Sequence, residues 1–422
     1  MDDKEKYIPK LGKCGLKNMG NTCYMNSILQ LLFHCKPLIS FLIKKNKLSD
    51  DNVTVLTGSD YEIYLEKASI EKVANAERIK QKLQPNSMVT INRGQIDKYK
   101  LFTVIEELSK IVDTFVNKGS SIITPLSFKQ VVDKKITQFR NFSQHDAHEF
   151  LIHIISIIIE ETGIESTPVI NNVPPNVAEL FSQCKIYEKL LLTSNSLDEK
   201  KLIIDAYNKY KTENKSLLSK YYGLEYMVNI YKNKYNPFIH QIQSILNHNV
   251  QCPNCKNISS SFEHTPIIQL YVSDSLELSL KNFTNSEVID NYKCSLCEYQ
   301  GIVNKTCIFW SLPYVLFIQF KRFEVLQNGR NVKNNKNIDI PLILDLNSYC
   351  DNYMNTEQQK RIYQLKGYCN HFGNLNGGHY NADCVCIVDN KTWYHFDDSN
   401  VTRNTNEAID TAGAYILMYV IE

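Results

Sequence analysis

The sequence has no apolar run long enough to cross a bilayer. The longest, Leu151 to Ile159, covers nine residues, where a spanning helix needs about 20. An excess of one charge is missing as well. There are 47 Lys plus Arg against 45 Asp plus Glu, a net charge of +2, with the signs interspersed, so neither nucleic acid nor a membrane surface is expected as a partner. No internal repeat and no low-complexity tract is visible. The opening Met1-Asp-Asp-Lys-Glu-Lys6 is charged and lacks an apolar core, so it does not read as a secretory signal and an intracellular location is expected. On that reading the 13 cysteines are reduced thiols, some catalytic or metal-bound, rather than disulfides. An apolar fraction of 43% allows a sizeable core, and 422 residues fit one large domain or two to three small ones.

What the chain does have is a stretch where a glycine-punctuated polar loop turns into a helical pattern, Gly15-Leu-Lys-Asn-Met-Gly-Asn-Thr-Cys-Tyr-Met-Asn-Ser-Ile-Leu-Gln-Leu-Leu32. Cys23 sits at the changeover. Asn21 or Thr22 is placed to cap the helix, and Ile28, Leu29, Leu31 and Leu32 form its apolar side. A thiol at a helix N-terminus faces unpaired N–H groups and the positive end of the dipole, and both favour the nucleophilic thiolate. Asn18 offers an amide donor five residues earlier, and Gly20 lets the loop fold back. Asn18 and the Cys23 N–H can then converge as an oxyanion hole beside a nucleophile. Most lone cysteines are simply core residues, so a base elsewhere in the chain has to decide.

Residues 44–100 are polar with little periodicity and read as an insertion. Phe102 to Phe115 is a clear amphipathic helix, and Thr124-Pro125 opens a shorter one through Val131 and Val132. In Ser143-Gln-His-Asp-Ala-His-Glu-Phe150, Ser143 with Asp146 fits a capping box. Ala147, Phe150, Leu151, Ile154, Ile155 and Ile158 then make a buried stripe, with Gln144, Asp146 and Glu149 off it. His148-Glu149 followed by His153 is one residue too long for a zincin helix, because the second His falls off the face of the first. Residues 163–236 are a second, helix-patterned insertion. From Pro237 the pattern becomes β, with runs at 267–272, 306–309, 315–320, 363–368, 379–388, 392–396 and 415–421. The chain is therefore expected to be α+β, helical first and β-rich after.

Cys252-Pro-Asn-Cys255 and Cys294-Ser-Leu-Cys297 are two C-x-x-C knuckles on β-type flanks. Each presents two thiolates from a tight turn, and together they fill a tetrahedral structural zinc site, each at a hairpin tip. The base is found in Asn376-Gly-Gly-His-Tyr380. His379 starts a strand, and the return strand Thr392 to Ser399 carries Asp397, so an antiparallel hairpin makes the two neighbours. Such a carboxylate fixes the imidazole tautomer while the other nitrogen accepts a thiol proton. Alternation places Trp393, His395 and Asp397 on one face and Asp398 on the other, so only one Asp faces His379 unless a bulge shifts the register.

Together these segments resemble the ubiquitin-specific proteases, papain-like cysteine peptidases. The match takes in Gly15–Leu32, Gln144–Phe150, the four knuckle cysteines, Leu312–Phe323, Gly377–Tyr380, Trp393–Ser399 and Ala414–Tyr419, in the family's order. Residues 44–100 and 163–236 match no motif. The resemblance implies one catalytic domain over 1–422, shaped as a hand. Residues 11–236 would be a mainly helical thumb and 237–422 a β-rich palm with zinc-tipped fingers. It implies Cys23 as nucleophile, His379 as base, Asp397 as orienting acid and Asn18 as oxyanion donor. Gln144, Asp146 and Glu149 would line the channel for ubiquitin's C-terminal tail, the acids meeting its arginines. Gly377 and Gly378 would let the backbone approach the tail's Gly-Gly, and the loops 327–337 and 369–376 would border the cleft. His145 stands where the family usually has Gln. Asp398 remains a second candidate acid.

The reading is a zinc-containing cysteine deubiquitinase, expected as a monomer, acting on ubiquitin and ubiquitinated proteins. Two alternatives are a protease for a ubiquitin-like modifier and an inactive ubiquitin-binding scaffold. A zinc-ribbon adaptor for nucleic acid is disfavoured by the near-neutral charge.

Overall fold

A computed structural model describes residues 12–47, 103–118, 122–163, 173–214, 217–233, 235–295, 297–325, 329, 331–350, 361–374, 377–404, 409 and 411–421. Most of the first polar insertion lies outside the described residues.

The N-terminal half is helical: α1 (Cys23–Phe33), α2 (Lys36–Lys47), α3 (Val104–Lys118), α4 (Leu126–Lys135) and α5 (Ala147–Thr162). Every residue of α1 is buried, so the helix is enclosed all round rather than amphipathic. Its polar members are bonded accordingly. Gln30 Nε2 donates to the Cys14 carbonyl at 2.8 Å, and Asn26 Nδ2 to the Leu16 carbonyl at 3.3 Å. The expected stripe on α5 is buried, Ala147, Phe150, Leu151, Ile154, Ile155 and Ile158 included. The second insertion is helical as its pattern suggests, with α6 (Pro175–Thr193), α7 (Leu197–Glu213) and α8 (Leu218–Asn233).

The change to β comes a little later than expected. Pro237 opens a short helix, α9 (Pro237–Ile242), capped by Asn236, whose Oδ1 accepts from the Phe238 and Ile239 amides. Then come β1 (Ser244–Gln251), β2 (Ile258–Thr265), β3 (Ile267–Tyr271), helix α10 (Leu276–Thr284), β4 (Glu287–Lys293), β5 (Gln300–Ser311) and β6 (Val315–Lys321). They are followed by β7 (Phe323–Val325), β8 (Asn331–Lys333), β9 (Ile343–Asp345), β10 (Ile362–Asn374), β11 (Gly377–Val385), β12 (Trp393–Asp397), β13 (Asn400–Asn404) and β14 (Ala414–Ile421). Residues 369–374, expected in a loop, belong to β10; 375–376 lie outside the described residues.

Two sheets organise this half. The fingers are β2-β1-β5-β4, and β7 and β8 form a separate ribbon. The palm runs β13-β12-β11-β10-β14-β6-β3, with β9 paired to β10. All palm pairings are antiparallel except β3 with β6. The main core lies between the palm and α1: Tyr24, Ile28, Leu31 and Leu32 meet Ala382, Cys384, Phe396 and Ile416 in one buried cluster. That packing fixes where Cys23, the first residue of α1, stands against the hairpin β11–β12.

Candidate active site

Cys23 is the first residue of α1 and 3% exposed. Thr22 precedes it but does not cap the helix, contrary to expectation, and no side chain caps this end. The Thr22 hydroxyl instead accepts from the Met19 amide at 3.0 Å and donates to Asn18 Oδ1 at 3.2 Å. Asn18 Oδ1 also accepts from the amides of Gly20 at 2.9 Å and Thr22 at 3.2 Å. The loop is thus wound around the Asn18 side chain, and Gly20 at φ 107° and Asn21 at φ 50° supply the left-handed turn it needs. Asn21 itself donates to the Phe142 carbonyl at 2.9 Å, tying the loop to the segment that leads into α5. The leading N–H groups of α1 are left without a side-chain acceptor, which is what an oxyanion site requires.

The palm hairpin brings His379 and Asp397 together. His379 Nε2 donates to Asp397 Oδ1 at 2.5 Å. That leaves Nδ1 for the thiol, and His379 is hydrogen-bonded to Cys23. The Cys23 contact, then Asp397, outweigh desolvation and raise the imidazole's pKa to about 9. An imidazole held so is mostly protonated at neutral pH, the state that pairs with a thiolate.

Asp398 has a different job. Its φ is 51°, at the tight turn between β12 and β13. The turn swings its carboxylate back to the nucleophile loop, where Oδ2 accepts from Asn18 Nδ2 at 2.8 Å and Oδ1 from Asn26 Nδ2 at 2.7 Å. Its carbonyl also accepts from the Leu16 amide at 2.8 Å. The contact is close enough to dictate Gly15: a Cβ there would lie 2.4 Å from the Ser399 carbonyl oxygen. The two acids therefore divide the work, Asp397 holding the imidazole and Asp398 holding the loop before Cys23. Sequence alternation separates them onto two faces but cannot reveal Asp398's partners, which lie more than 370 positions away.

The residues expected along the tail channel are less uniform. Asp146, not Ser143, caps α5, because its Oδ1 reaches the amides of His148 at 2.7 Å and Glu149 at 3.2 Å. Its Oδ2 accepts from the Tyr415 hydroxyl at 2.7 Å, so this carboxylate is already engaged on both sides. Glu149 is exposed and accepts from Gln138 Nε2 at 2.5 Å. Gln144 clamps one backbone unit across the cleft: its Nε2 donates to the Gly378 carbonyl at 2.8 Å and its Oε1 accepts from the Gly378 amide at 2.7 Å. A Cβ on Gly378 would meet His371 Nε2 and the Phe372 carbonyl oxygen at 2.4 Å, so that glycine is required by the protein itself. Gly377 is open, with only Gln144 Oε1 near a Cβ, at 3.8 Å. The two loops expected to border the cleft are joined by Lys333 Nζ, which donates to the His371 carbonyl at 2.5 Å. His145 Nε2 lies 3.1 Å from Asn141 Oδ1 and its ring stands edge-on to Tyr24 and Phe139. His148 and His153 form no site together: His148 Nε2 contacts Gln269 at 3.0 Å, while His153 packs on Phe139.

At the finger tips the two knuckles come together. Cys252–Cys255 joins β1 to β2 and Cys294–Cys297 joins β4 to β5. Each repeats the same turn. The first Cys amide donates to a carbonyl five residues on at 2.8 Å, and Lys256 and Glu298 take φ values of 57° and 55°. The four sulfurs converge, Cys252 to Cys297 at 3.6 Å and Cys255 to Cys294 at 3.7 Å. These separations are far too long for disulfides. They match the edge, about 3.8 Å, of a tetrahedron of thiolates around zinc at ~2.3 Å.

The chain matches the family model described as ubiquitin carboxyl-terminal hydrolase over residues 14–419. Among its relatives is a probable ubiquitin carboxyl-terminal hydrolase of Acanthamoeba polyphaga mimivirus, 27% identical, covering 97% of this chain and 90% of that protein. Probable ubiquitin carboxyl-terminal hydrolase 4 of Schizosaccharomyces pombe is 26% identical over 98% of this chain and 59% of its own length. For human ubiquitin carboxyl-terminal hydrolase 2 the values are 24%, 97% and 55%. The chain thus spans nearly all of the viral relative but little more than half of these two. The fold is similar to the SAGA DUB module Ubp8/Sgf11/Sus1/Sgf73 bound to monoubiquitin, with a TM-score of 0.58 at 22% identity, covering 98% of this chain and 70% of that one. The same module bound to ubiquitin aldehyde gives 0.58 at 23% identity over the same shares. A thiol at an uncapped helix start, an imidazole–carboxylate pair facing it and a family match across nearly the whole length converge, and the chain belongs to the ubiquitin carboxyl-terminal hydrolase family.

Proposed function

We propose that this chain is a cysteine deubiquitinase that hydrolyses the amide, isopeptide, ester or thioester bond after the terminal Gly of ubiquitin. The observation that carries this reading is the bonded line from Cys23 through His379 to Asp397 at the uncapped start of α1. His379 Nδ1 takes the Cys23 proton, and the thiolate attacks the Gly carbonyl carbon. The resulting oxyanion lies against the Cys23 N–H and the second N–H of the Asn18 amide, whose first is given to Asp398. The intermediate collapses, the amine leaves with the proton from His379, and a thioester remains. Water then attacks the thioester while His379 takes its proton. The carboxylate of ubiquitin departs and the thiol is restored.

Glu149 is the acid placed to meet an arginine of the tail. Asp146 acts mainly through the cap and Tyr415, and Gln144 releases Gly378 as the tail enters. The four knuckle thiolates hold a structural zinc, which ties the two finger hairpins together and takes no part in the reaction. None of the 13 cysteines is joined in a disulfide, which suits a reducing compartment. Among the described residues no helix is long and apolar enough to cross a membrane.

The test is release of fluorophore from a ubiquitin C-terminal amide by the chain and by Cys23→Ala. Turnover that vanishes in the variant supports both the nucleophile and the modifier. Binding of ubiquitin without turnover would sink the enzyme reading, and turnover only with a ubiquitin-like C-terminus would change the modifier.

A further inference from the structure

The palm face that carries His379 holds a second imidazole–carboxylate pair. Along β11 the residues His379, Asn381 and Asp383 share one face, and along β12 Trp393, His395 and Asp397 do the same. The register sets Asp383 directly opposite His395. His395 Nδ1 donates to Asp383 Oδ1 at 3.0 Å. Asp383 is only 3% exposed, a position a carboxylate tolerates when its oxygens are bonded. Asn404 Nδ2 donates to Oδ1 at 2.9 Å and Asn370 Nδ2 to Oδ2 at 3.0 Å. These donors come from β13 and β10, the strands on either side of the hairpin. Asn370 also donates to Asn381 Oδ1 at 2.9 Å, extending the network toward His379.

His395 stands two residues before Asp397 on the same strand face, a separation of about 7 Å. The bond to Asp383 raises its proton affinity; burial lowers it, Asp397 raises it, and His379 opposes it, leaving the imidazole above its ordinary pKa. Across β13 its partner is Thr402, while Arg403 sits opposite Tyr394 on the other face. When protonated, His395 is a cation fixed by Asp383 and flanking the acid that orients the base.

We propose that Asp383 and His395 form a positioning pair for the catalytic acid. Tied to β10 and β13 through Asp383, His395 holds β12 in register and, in its protonated form, sets a positive charge beside Asp397 where that acid faces His379. This rests on the roles given above to His379 and Asp397. Asp383 stands within a strand run that is otherwise largely apolar, Tyr380 to Val388, and a buried acid there needs a partner.

The test compares His395→Gln, which retains a donor for Asp383 without the charge, with His395→Lys, which retains both. Two readouts are used on the full chain over about pH 5.5–9.5. One is steady-state hydrolysis of the ubiquitin amide. The other is alkylation of Cys23 by iodoacetamide, which needs no ubiquitin and so stands even if the modifier is another. The expected result for His395→Gln is a kcat lower by about 10-fold with KM little changed, and a displaced pH profile for alkylation. His395→Lys restores most of both. Wild-type kcat and pH profiles in His395→Gln would overturn the proposal, and so would equal loss in the two variants, which would mark a packing role. Asp383→Asn is expected to act like His395→Gln. Should its buried site prevent folding, the half-exposed His395 variants still decide.

Discussion

Asn18 donates its side-chain amide to Asp398 Oδ2 at 2.8 Å, across 380 positions of sequence. The other carboxylate oxygen takes Asn26 of α1 at 2.7 Å, so one acid holds both the loop before the nucleophile and the helix that bears it. Asp398→Ala is expected to lower kcat by about 10- to 100-fold while KM stays within a few-fold, because the loop loses its anchor without losing the substrate channel. Asp398→Asn keeps one acceptor and is expected to lose less. A large rise in KM with unchanged kcat would show that Asp398 serves binding instead.

Asn18 itself combines two functions that an experiment can separate. Its Oδ1 gathers three donors of the loop, and its Nδ2 is the donor assigned to the oxyanion. Asn18→Ala is expected to reduce ubiquitin-amide turnover by about 10²–10³. Alkylation of Cys23 by iodoacetamide passes through no oxyanion and is expected to change little. Parallel losses in both reactions would mean that Asn18 only shapes the loop.

The contrast between Asp397 and Asp398 shows where the sequence was informative. Cys23, His379, Asp397 and the four knuckle cysteines are legible because their signals are local: a helix start, a glycine-flanked strand start, a hairpin, and two x-x spacings. The strand runs behind the palm are legible for the same reason, since their short, mostly continuous apolar runs, buried in β6 and β14 at nearly every position, are written within a few residues. The roles of Asp398, Asp383 and Gln144 depend on which strands and loops become neighbours, and one sequence carries no register. Capping misled at two places. Ser143 and Thr22 both have the right side chains for an N-cap, but Asp146 caps α5 itself and Thr22 turns to the loop. The finger strand β4 also escaped, because its residues are mostly exposed and it has no apolar run.

The zinc site makes a prediction independent of catalysis. The thiolates of Cys252, Cys255, Cys294 and Cys297 close one tip across two hairpins whose strands are partly exposed. The purified chain is expected to carry about one zinc per molecule by elemental analysis, and Cys294→Ser to carry none. Loss of the ion is expected to lower the thermal midpoint and expose the finger strands to protease before the palm. Full zinc occupancy in Cys294→Ser, or an unchanged midpoint without zinc, would refute the structural assignment.

The Gln144 clamp predicts an effect on binding rather than chemistry. Two hydrogen bonds, of 2.8 and 2.7 Å, join Gln144 to Gly378, at the cleft wall beside His379. A tail entering beside Gly377 and Gly378 has to replace those bonds. Gln144→Ala removes both the barrier and a ligand for the tail. If the clamp mainly obstructs, KM falls; if Gln144 mainly serves the tail, KM rises. The exposed position of Gln144 makes each of its bonds worth only about 1 kcal/mol, so the expected shift in KM is under about 10-fold, with kcat little changed. A kcat loss with unchanged KM would place Gln144 in the reacting geometry instead.

Acid stability follows from a histidine far from the thiol chemistry. His34 ends α1, is 4% exposed, donates from Nδ1 to the Gln30 carbonyl at 2.7 Å and is wedged against Phe115 and Phe396. Burial, only partly offset by backbone hydrogen bonds, lowers its pKa to about 4 from 6.5. Between those values the unfolded chain binds a proton that the folded chain refuses, so stability rises with pH there. The contribution is complete above about pH 6.5 and is lost as pH falls toward 4, by up to about 3 kcal/mol for this one group. His371, also lowered to about 4 mainly by burial, acts in the same direction. His379 acts in the opposite one: raised to about 9, it stabilises below its unfolded value of about 6.5, and that contribution fades as pH rises through 9. Stability is therefore expected to peak between these limits. His34→Gln keeps a donor for the Gln30 carbonyl and cannot be charged. Its urea midpoint is expected to fall less than the wild-type midpoint between pH 7 and about pH 4.5. Equal acid sensitivity in the two proteins would show that His34 is not what the acid attacks.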